Sequence, residues 1–313
     1  MSFAAMMLVA MAIDSVIGWP AQLYAAIGHP VTWIGALIRR LDLALNHDSA
    51  ADLPRRLAGV CAAVLVIGCA GGLAWAVQAA LPAGWLGIVI GGVLAWPFLA
   101  IRSMYAHVAA VVVPLQRGDL DDARFQVSMI VGRNTKVLDA AGVARAAMES
   151  LAENTSDGIV APLFWGAVLG LPGIAAYKAI NTLDSMIGHR TPRFLAFGWA
   201  SARIDDLVNL IPARLTGLVF ALVSAAPRRA LSVMWRDAGL HRSPNAGWPE
   251  AAMAAGLGVR LSGPRVYDGH VADEPWVNAG TPDPTANDLQ RGLALYVRAM
   301  FVLAAALLVL ALV

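Results

Sequence analysis

Long apolar runs recur along the whole chain, and they constrain its fold more than any other feature of the sequence. About 20 apolar residues are needed to carry a helix across the hydrocarbon core of a bilayer. Four segments approach that length, while two further apolar segments contain or adjoin charged residues and are interpreted as broken or re-entrant. The four predicted spans cover residues 2–17, 57–80, 84–101 and 293–313, and the two interrupted segments cover residues 158–176 and 207–226.

The composition supports the same interpretation, since 58% of the 313 residues are hydrophobic and only 14% are charged. A soluble protein of this length needs a more polar surface. We therefore predict an all-α fold, a polytopic integral membrane helical bundle with membrane-associated cytoplasmic helices and loops, forming a single domain over residues 1–313. The net charge of +2 identifies no partner, and nucleic-acid binding is not expected.

Arginine distribution predicts the orientation, because short cytoplasmic loops retain positive charge. Residues 39–56 contain four arginines, whereas the turn at residues 81–83 contains none and should face outward. The polar segment 102–157 should therefore lie on the cytoplasmic side of the membrane, which we expect to be a bacterial inner membrane. Residues 178–203 and 228–291 both carry several basic residues, so one of the two interrupted segments is expected not to cross. The polar segments 102–157, 177–206 and 228–292 are the candidates for chemistry.

The first candidate group lies on a helix predicted from Lys136 to Glu153. Glu149 and Glu153 are four residues apart, so both carboxylates share one helix face and could hold a metal ion. A solvated helix side with an ion pair to Arg145 is the alternative. Asn154 and Asp157 add oxygen donors immediately before an apolar segment, where crowded carboxylates are costly without a cation.

The second candidate group follows the apolar segment that ends near residue 176. Lysine, arginine and aspartate recur there beside apolar runs; magnesium prefers oxygen ligands and substrate phosphates, and guanidinium groups bind phosphates. The alternative is structural, with Asn181 and Asp184 capping helix ends. The members of this group are Lys178, Asn181, Asp184, Arg203, Asp205, Asp206 and Arg214.

A third segment, Ser243 to Glu250, has two prolines and a glycine around Asn245 and is predicted to be a rigid loop, either structural or catalytic. The sequence has no GxxxxGK[ST] loop, no GxGxxG motif after a strand, no HExxH and no GxSxG. Any nucleotide site is therefore of another kind.

Taken together, these segments resemble the CobD/CbiB family of cobalamin biosynthesis, the membrane-bound adenosylcobinamide-phosphate synthases. The resemblance extends in order over most of the chain. Its motifs are His29-Pro-Val31, Gly132-Arg133 with Thr135, Glu149-Ser, Glu153-Asn, Asp157-Gly, Ala161 to Phe164, Tyr177-Lys-Ala, Asn181 to Met186, Phe197-Gly198, Ala202-Arg203, Asp205-Asp206, Pro212 to Arg214 and Ser243 to Gly247.

The resemblance implies a C–N ligase that uses ATP and Mg²⁺ to join a propionate carboxylate of adenosylcobyric acid to aminopropanol or aminopropanol O-phosphate. It also implies the bilayer, the corrinoid and the amino alcohol as partners, together with other enzymes of the pathway. Catalytic roles fall to Glu149, Glu153, Asp157, Lys178 and Asp184. Metal ligands are Glu153, Asp184, Asp205 and Asp206. Substrate or phosphate contacts are Arg133, Thr135, Asn154, Asn181, Arg203, Arg214, Ser243 and Asn245.

Two positions depart from the family pattern. Trp19 replaces the aspartate of a motif that is usually Gly-Asp-Pro, and Asn134 replaces the aspartate of a motif that is commonly Gly-Arg-Asp-Thr. Two other classes remain open: a Mg²⁺-dependent intramembrane prenyl or phospho-alcohol transferase, which also sets aspartates at a bilayer edge, and a transporter with ionisable residues in broken helices. The aspartate spacing fits the first poorly, and charges that lie at the ends of spans fit the second poorly.

Overall fold

The computed structural model describes residues 1–132, 134–267, 270–272 and 274–313. In that part of the chain the backbone forms fifteen α-helices and four short strands. The helices are α1 (Phe3–Val16), α2 (Ala21–Ile27), α3 (Pro30–Leu45), α4 (Asp52–Ala79), α5 (Trp85–Ala95), α6 (Ile101–Arg117), α7 (Leu120–Ser128), α8 (Ala140–Thr155), α9 (Ala161–Leu169), α10 (Leu171–Ile187), α11 (Trp199–Val208), α12 (Leu210–Val223), α13 (Pro227–Asp237), α14 (Gly247–Leu257) and α15 (Ala286–Leu312). The strands are β1 (Leu261–Ser262), β2 (Arg265–Tyr267), β3 (His270–Ala272) and β4 (Trp276–Val277).

The chain divides into two compact units, and each is assembled from separate stretches of sequence. The first unit consists of Met1–Ala100, Ala161–Asn209 and Ala306–Val313. The second unit consists of Ile101–Val160 and Leu210–Ala305. The expectation of a single domain over residues 1–313 stays a prediction.

The first unit is organised around the contact between α4 and α10, to which α3, α9 and α11 also pack. Small residues on α4 let the backbone around Phe197 approach this helix closely. A Cβ atom on Gly59 would lie 1.9 Å from the backbone oxygen of Phe197. Larger apolar side chains fill the rest of the core and fix the position of α10. The buried members of this core are Ile38, Ala62, Ala63, Val66, Ala179, Leu183, Ile187 and Phe197.

The second unit contains two helical groups and a small amount of sheet. Helix α6 packs on α7 and α8, while α12, α13 and α14 pack on one another, and α14 also contacts α8. Strand β1 pairs antiparallel with β4, and β2 pairs antiparallel with β3. The α8 helix therefore borders both the α14 helix and the β1 strand.

Three helical stretches of the described chain are long and apolar enough to cross a bilayer alone: Asp52–Ala79, Trp85–Arg117 and Ala286–Leu312. Two more qualify only when neighbouring helices are counted together. One joins Phe3–Val16 to Ala21–Leu45 across a 112° bend, and the other joins α11 to α12. The prediction of an all-α membrane protein is confirmed.

Several boundaries differ from the sequence predictions. The span predicted at residues 84–101 is longer in the structure and reaches Arg117, because α5 is followed by a 3-10 turn at Trp96–Phe98 and then by the apolar residues of α6. The span predicted at residues 2–17 is long enough to cross a bilayer only when α1 is counted together with α2 and α3. Residues 158–176, which were interpreted as a broken or re-entrant segment, do not form one helix: a π-helical turn at Ser156–Val160 precedes α9, and Gly170 adopts a φ of 71° before α10.

The helix predicted from Lys136 begins four residues later, at Ala140. Asp139 caps it, since its Oδ1 accepts the Gly142 N–H at 2.7 Å. Asn134 accepts the Lys136 N–H at 3.0 Å through its side-chain oxygen. An Asx-type turn therefore replaces the first predicted helical turn.

Candidate active site

Helix α10 presents three of the predicted site residues in the first unit. Lys178 and Asn181 are three residues apart and therefore share a face, and Lys178 Nζ donates to Asn181 Oδ1 at 3.3 Å. Asp184 follows one turn later and is half-buried near the end of the helix at Ile187. The structure thus aligns an ammonium, an amide and a carboxylate along one helix.

The Asp184 carboxylate lies over the C-terminal turn of α10, in space that only glycine leaves open. A Cβ atom on Gly188 would lie 2.0 Å from Asp184 Oδ1. Helix α10 is not among the candidate spans. Burial raises the pKa of Asp184, the charge of Asp206 raises it further, and His189 lowers it. The negative end of the helix dipole also disfavours a charged carboxylate here, so this position suits an amine or a cation.

The adjacent residues Asp205 and Asp206 have different partners. Asp205 Oδ2 accepts from Asn209 Nδ2 at 3.0 Å, and Asn209 Oδ1 accepts from the buried Tyr177 hydroxyl at 2.9 Å. Asp206 Oδ2 lies 3.6 Å from Arg203 Nη1. Asp205 is therefore held by an internal network in which Tyr177 and Asn209 were not predicted, while Asp206 acts electrostatically on Asp184.

In the second unit, Glu149 and Glu153 lie on α8 as predicted, but their surroundings differ. Glu149 is buried, and its Oε1 accepts the N–H of Ser262 at 2.8 Å. Ser262 has a φ of 60°, a left-handed conformation that is uncommon for residues other than glycine. Glu153 is exposed. Glu149 therefore anchors β1, and Glu153 is the more accessible carboxylate.

The end of α8 carries the remaining oxygen donors of that group. Asn154 is turned back on its own helix, because its Nδ2 donates to the backbone oxygen and the Oγ of Ser150 at 3.0 and 3.2 Å. Asp157 is half-buried in the π-helical turn that follows. π-Helical turns are often found at functional sites.

The loop predicted before Glu250 is held by its own side chains. Ser243 N–H donates to His241 Nδ1 at 2.9 Å, and Ser243 Oγ accepts the N–H groups of Asn245 and Ala246 at 3.3 Å. Nε2 of His241 lies 3.7 Å from Oε1 of the buried Glu250. These hydrogen bonds hold residues 243–246, but α14 begins at Gly247, so the loop is shorter than the predicted segment Ser243 to Glu250. The pairing of His241 with Glu250 was not predicted, because only the fold brings these two side chains together.

A second polar group fixes the chain beyond α14. Asp283 accepts from Arg260 Nε and Nη2 at 2.9 and 2.6 Å and from Arg145 Nη1 at 3.2 Å. The guanidinium carbons of Arg145 and Arg260 lie 4.7 and 4.0 Å from the centroid of the Trp276 ring. Hydrogen bonding to Arg260 lowers the pKa of Asp283, burial opposes this, and the charge of Arg145 lowers the pKa further.

Three predicted phosphate or substrate contacts remain. Arg214 donates to the Leu210 backbone oxygen at 2.7 Å, and its guanidinium carbon lies 4.4 Å from the centroid of the Trp248 ring. Thr135 is buried. Arg133 lies outside the described residues. The first unit thus contains Lys178, Asn181, Asp184, Arg203, Asp205 and Asp206, and the second unit contains Thr135, Glu149, Glu153, Asn154, Asp157, Arg214, Ser243 and Asn245.

The comparisons identify the family of this chain. The family model described as CobD/Cbib protein matches residues 7–296. The chain belongs to the CobD/CbiB family. It is 68% identical over 300 residues to a Rhodobacter capsulatus protein described as cobalamin biosynthesis protein CobD, covering 96% of this chain and 95% of the relative. Relatives with the same description are 48% identical in a Sinorhizobium species (97% of each chain) and 45% identical in Brucella suis (92% of this chain, 90% of the relative). No solved structure is significantly similar.

The CobD/CbiB match covers every predicted site residue, since all of them lie between residues 133 and 245. The donor set is also compatible with magnesium. In the described part of the chain no three His, Cys, Asp or Glu side chains form a ready-made metal cluster. Mg²⁺ usually binds one or two carboxylates and completes its coordination with water and substrate phosphates, so Asp184 and its neighbour Asp206 offer a sufficient protein contribution.

Proposed function

We propose that this membrane protein acts in cobalamin biosynthesis as an ATP-dependent C–N ligase. It would join a propionate carboxylate of adenosylcobyric acid to aminopropanol or aminopropanol O-phosphate. Membership of the CobD/CbiB family supports the pathway. The observation that carries the chemistry is the placement of Lys178 and Asp184 on one helix, with Asp206 acting on Asp184.

The reaction requires activation of a poor electrophile. A carboxylate oxygen attacks the γ-phosphorus of ATP, ADP leaves, and the amine nitrogen then attacks the acyl carbon and expels phosphate. Positive charge near the phosphoryl oxygens favours the first step. We assign the supply of this charge to Lys178 together with arginines such as Arg203. Mg²⁺, when bound by Asp184 or Asp206, would neutralise phosphate charge.

The second step requires the amine to lose a proton. A carboxylate whose pKa is raised towards neutral pH is a better general base than an ordinary aspartate. Asp184 has this property through burial and through the charge of Asp206. We therefore assign amine orientation and deprotonation to Asp184. Glu153 and Asp157 are further candidates in the second unit, where Ser243 and Asn245 would contact substrate.

The test uses the purified full-length protein in detergent with adenosylcobyric acid, Mg-ATP and each of the two amines. Mass spectrometry should detect the amide, and ADP should form in equal amount. Asp184→Asn should reduce the rate by about 100-fold or more, a typical contribution of a general base. Asp121→Asn is the control, because the Asp121 side chain is 94% exposed. An absence of amide with the wild-type protein would reject the ligase.

We propose further that the protein resides in the bacterial inner membrane with its polar segments in the cytoplasm. The arginines at residues 39–56 and their absence from residues 81–83 support this orientation. Reporter fusions test it: a periplasmic alkaline phosphatase inserted after Pro82 should be active, and one inserted after Asp121 should be inactive. The reverse pattern would contradict the orientation.

A further inference from the structure

Two tryptophans and a histidine form a small aromatic cluster in the first unit. The rings of Trp19 and His29 meet edge to face with centroids 4.8 Å apart, and the centroids of Trp19 and Trp96 are 5.4 Å apart. Trp96 lies in a 3-10 turn at Trp96–Phe98, and this turn contacts α1, α3 and α10. The cluster therefore lies where three helices of this unit meet.

Both indole N–H groups of this cluster are shielded from solvent without an acceptor. In the part of the chain that the structure describes, Nε1 of Trp19 and Nε1 of Trp96 are buried and have no hydrogen-bond partner. A buried donor without an acceptor is destabilising, because it has given up its hydrogen bonds to water without replacing them. Two such donors on adjacent rings indicate that an acceptor from outside the chain belongs there.

Other tryptophans of the chain satisfy this requirement internally. Trp33 donates to the Ile27 backbone oxygen at 3.0 Å, and Trp165 donates to the Val208 backbone oxygen at 3.1 Å. Trp33 and Trp165 belong to the same unit as the cluster. Among the tryptophans of this unit that the structure describes, only Trp19 and Trp96 thus have a buried N–H without an acceptor.

The neighbouring side chains make the cluster a donor site. The Val31 N–H donates to Nδ1 of His29 at 3.2 Å, so neutral His29 carries its proton on Nε2 and presents a third donor. Lys178 is close enough to His29 for the ammonium charge to act on the imidazole. Three neutral donors beside an ammonium group favour an anion with several acceptor oxygens, and a phosphate monoester has three terminal oxygens.

We propose that Trp19, His29 and Trp96 bind the phosphate of a phosphorylated amino alcohol. This inference rests on the proposed function, because it assigns to the same enzyme an amine substrate that is already phosphorylated. Mg-ATP is the less suitable occupant, because its metal requires oxygen ligands and the cluster supplies N–H donors. The indole groups would read the phosphate, while α10 would hold the amine.

Binding can be measured without turnover by ¹⁹F NMR of the full-length protein labelled with 5-fluorotryptophan. Trp19→Phe and Trp96→Phe spectra assign the two resonances, and tyrosine replaces phenylalanine where a variant does not fold. Aminopropanol O-phosphate should shift both resonances saturably, and inorganic phosphate should do so at higher concentration. Unphosphorylated aminopropanol and Mg-ATP should leave both resonances unmoved. No ligand should shift the Trp165 resonance.

The variants provide the second readout. Each of Trp19→Phe and Trp96→Phe should raise the Kd for aminopropanol O-phosphate, and its KM, roughly tenfold, the expected effect of losing one hydrogen bond to a charged group. The KM for the corrinoid should not change. Trp165→Phe is the matched control, because its N–H already has an acceptor in the chain, and it should leave this Kd unchanged.

The outcomes separate this inference from the function on which it rests. Amide formation without movement of the Trp19 and Trp96 resonances would overturn the phosphate site and leave the ligase standing. Saturable shifts in a protein that forms no amide would reject the ligase and keep the site. Larger shifts with Mg-ATP than with the amine phosphate would overturn the assignment of the ligand.

Discussion

Gly188→Ala tests whether the position of the Asp184 carboxylate controls the reaction. Gly188 has ordinary backbone angles, φ −74° and ψ 0°, so alanine is allowed and any effect is steric. The new Cβ would lie 2.0 Å from Oδ1 and 2.7 Å from the backbone oxygen of Asp184. To restore an ordinary contact the carboxylate must move by about 1 Å or more, and the end of α10 must adjust with it.

A misplacement of this size in a reacting group can cost about 100-fold in rate. Overpacking should also lower the Tm by roughly 3–10 °C. The rate of amide formation and the Tm in detergent measure the two effects. Gly72→Ala is the control, since Gly72 lies on α4 of the same unit with no atom within 4 Å of its added Cβ. Wild-type turnover by Gly188→Ala would refute a role for Asp184 in catalysis.

Substitutions at three further positions test other contacts. Glu149→Ala removes the acceptor of the Ser262 N–H and should lower the Tm by roughly 4–10 °C, whereas Glu149→Gln keeps an acceptor oxygen and should lose less; equal losses would contradict the anchoring role. Tyr177→Phe releases the network that orients Asp205 and should slow amide formation up to about tenfold with unchanged KM values; an unaltered rate would exclude that network from catalysis. The lowered pKa of Asp283 means that its charged form stabilises the fold at neutral pH, so Asp283→Asn should have the lower Tm at pH 7, and the difference should vanish as the pH falls below about 4; a constant difference would oppose this assignment.

Features that follow from local sequence could be predicted. Apolar composition is a property of each segment alone, so the spans of α4 and α15 were found directly. The spacing of Lys178, Asn181 and Asp184 likewise follows from helical periodicity. Boundaries were less accurate where one side chain decides them: because Asp139 caps α8, the helix begins at Ala140 and not at Lys136.

Contacts between distant parts of the chain could not be predicted. Glu149 accepts from Ser262, 113 residues away, and Tyr177 donates to Asn209, 32 residues away. Nothing in the local pattern distinguishes the buried Glu149 from the exposed Glu153, since they are four residues apart on the same helix and therefore share a face. Only the fold shows that Glu149 secures a strand while Glu153 is exposed.

The alternation of the chain between its two units has a consequence for how the protein is made and how it can be dissected. Helices α4 and α10 share a core, yet α6, α7 and α8 are synthesised between them. The first unit therefore cannot be completed during translation until its partner has begun to emerge, and no single cut yields either unit as a continuous fragment. A shortened gene product that ends before α10 would expose the apolar face of α4 that α10 covers. Such a product should be a target for membrane proteases rather than a smaller working protein.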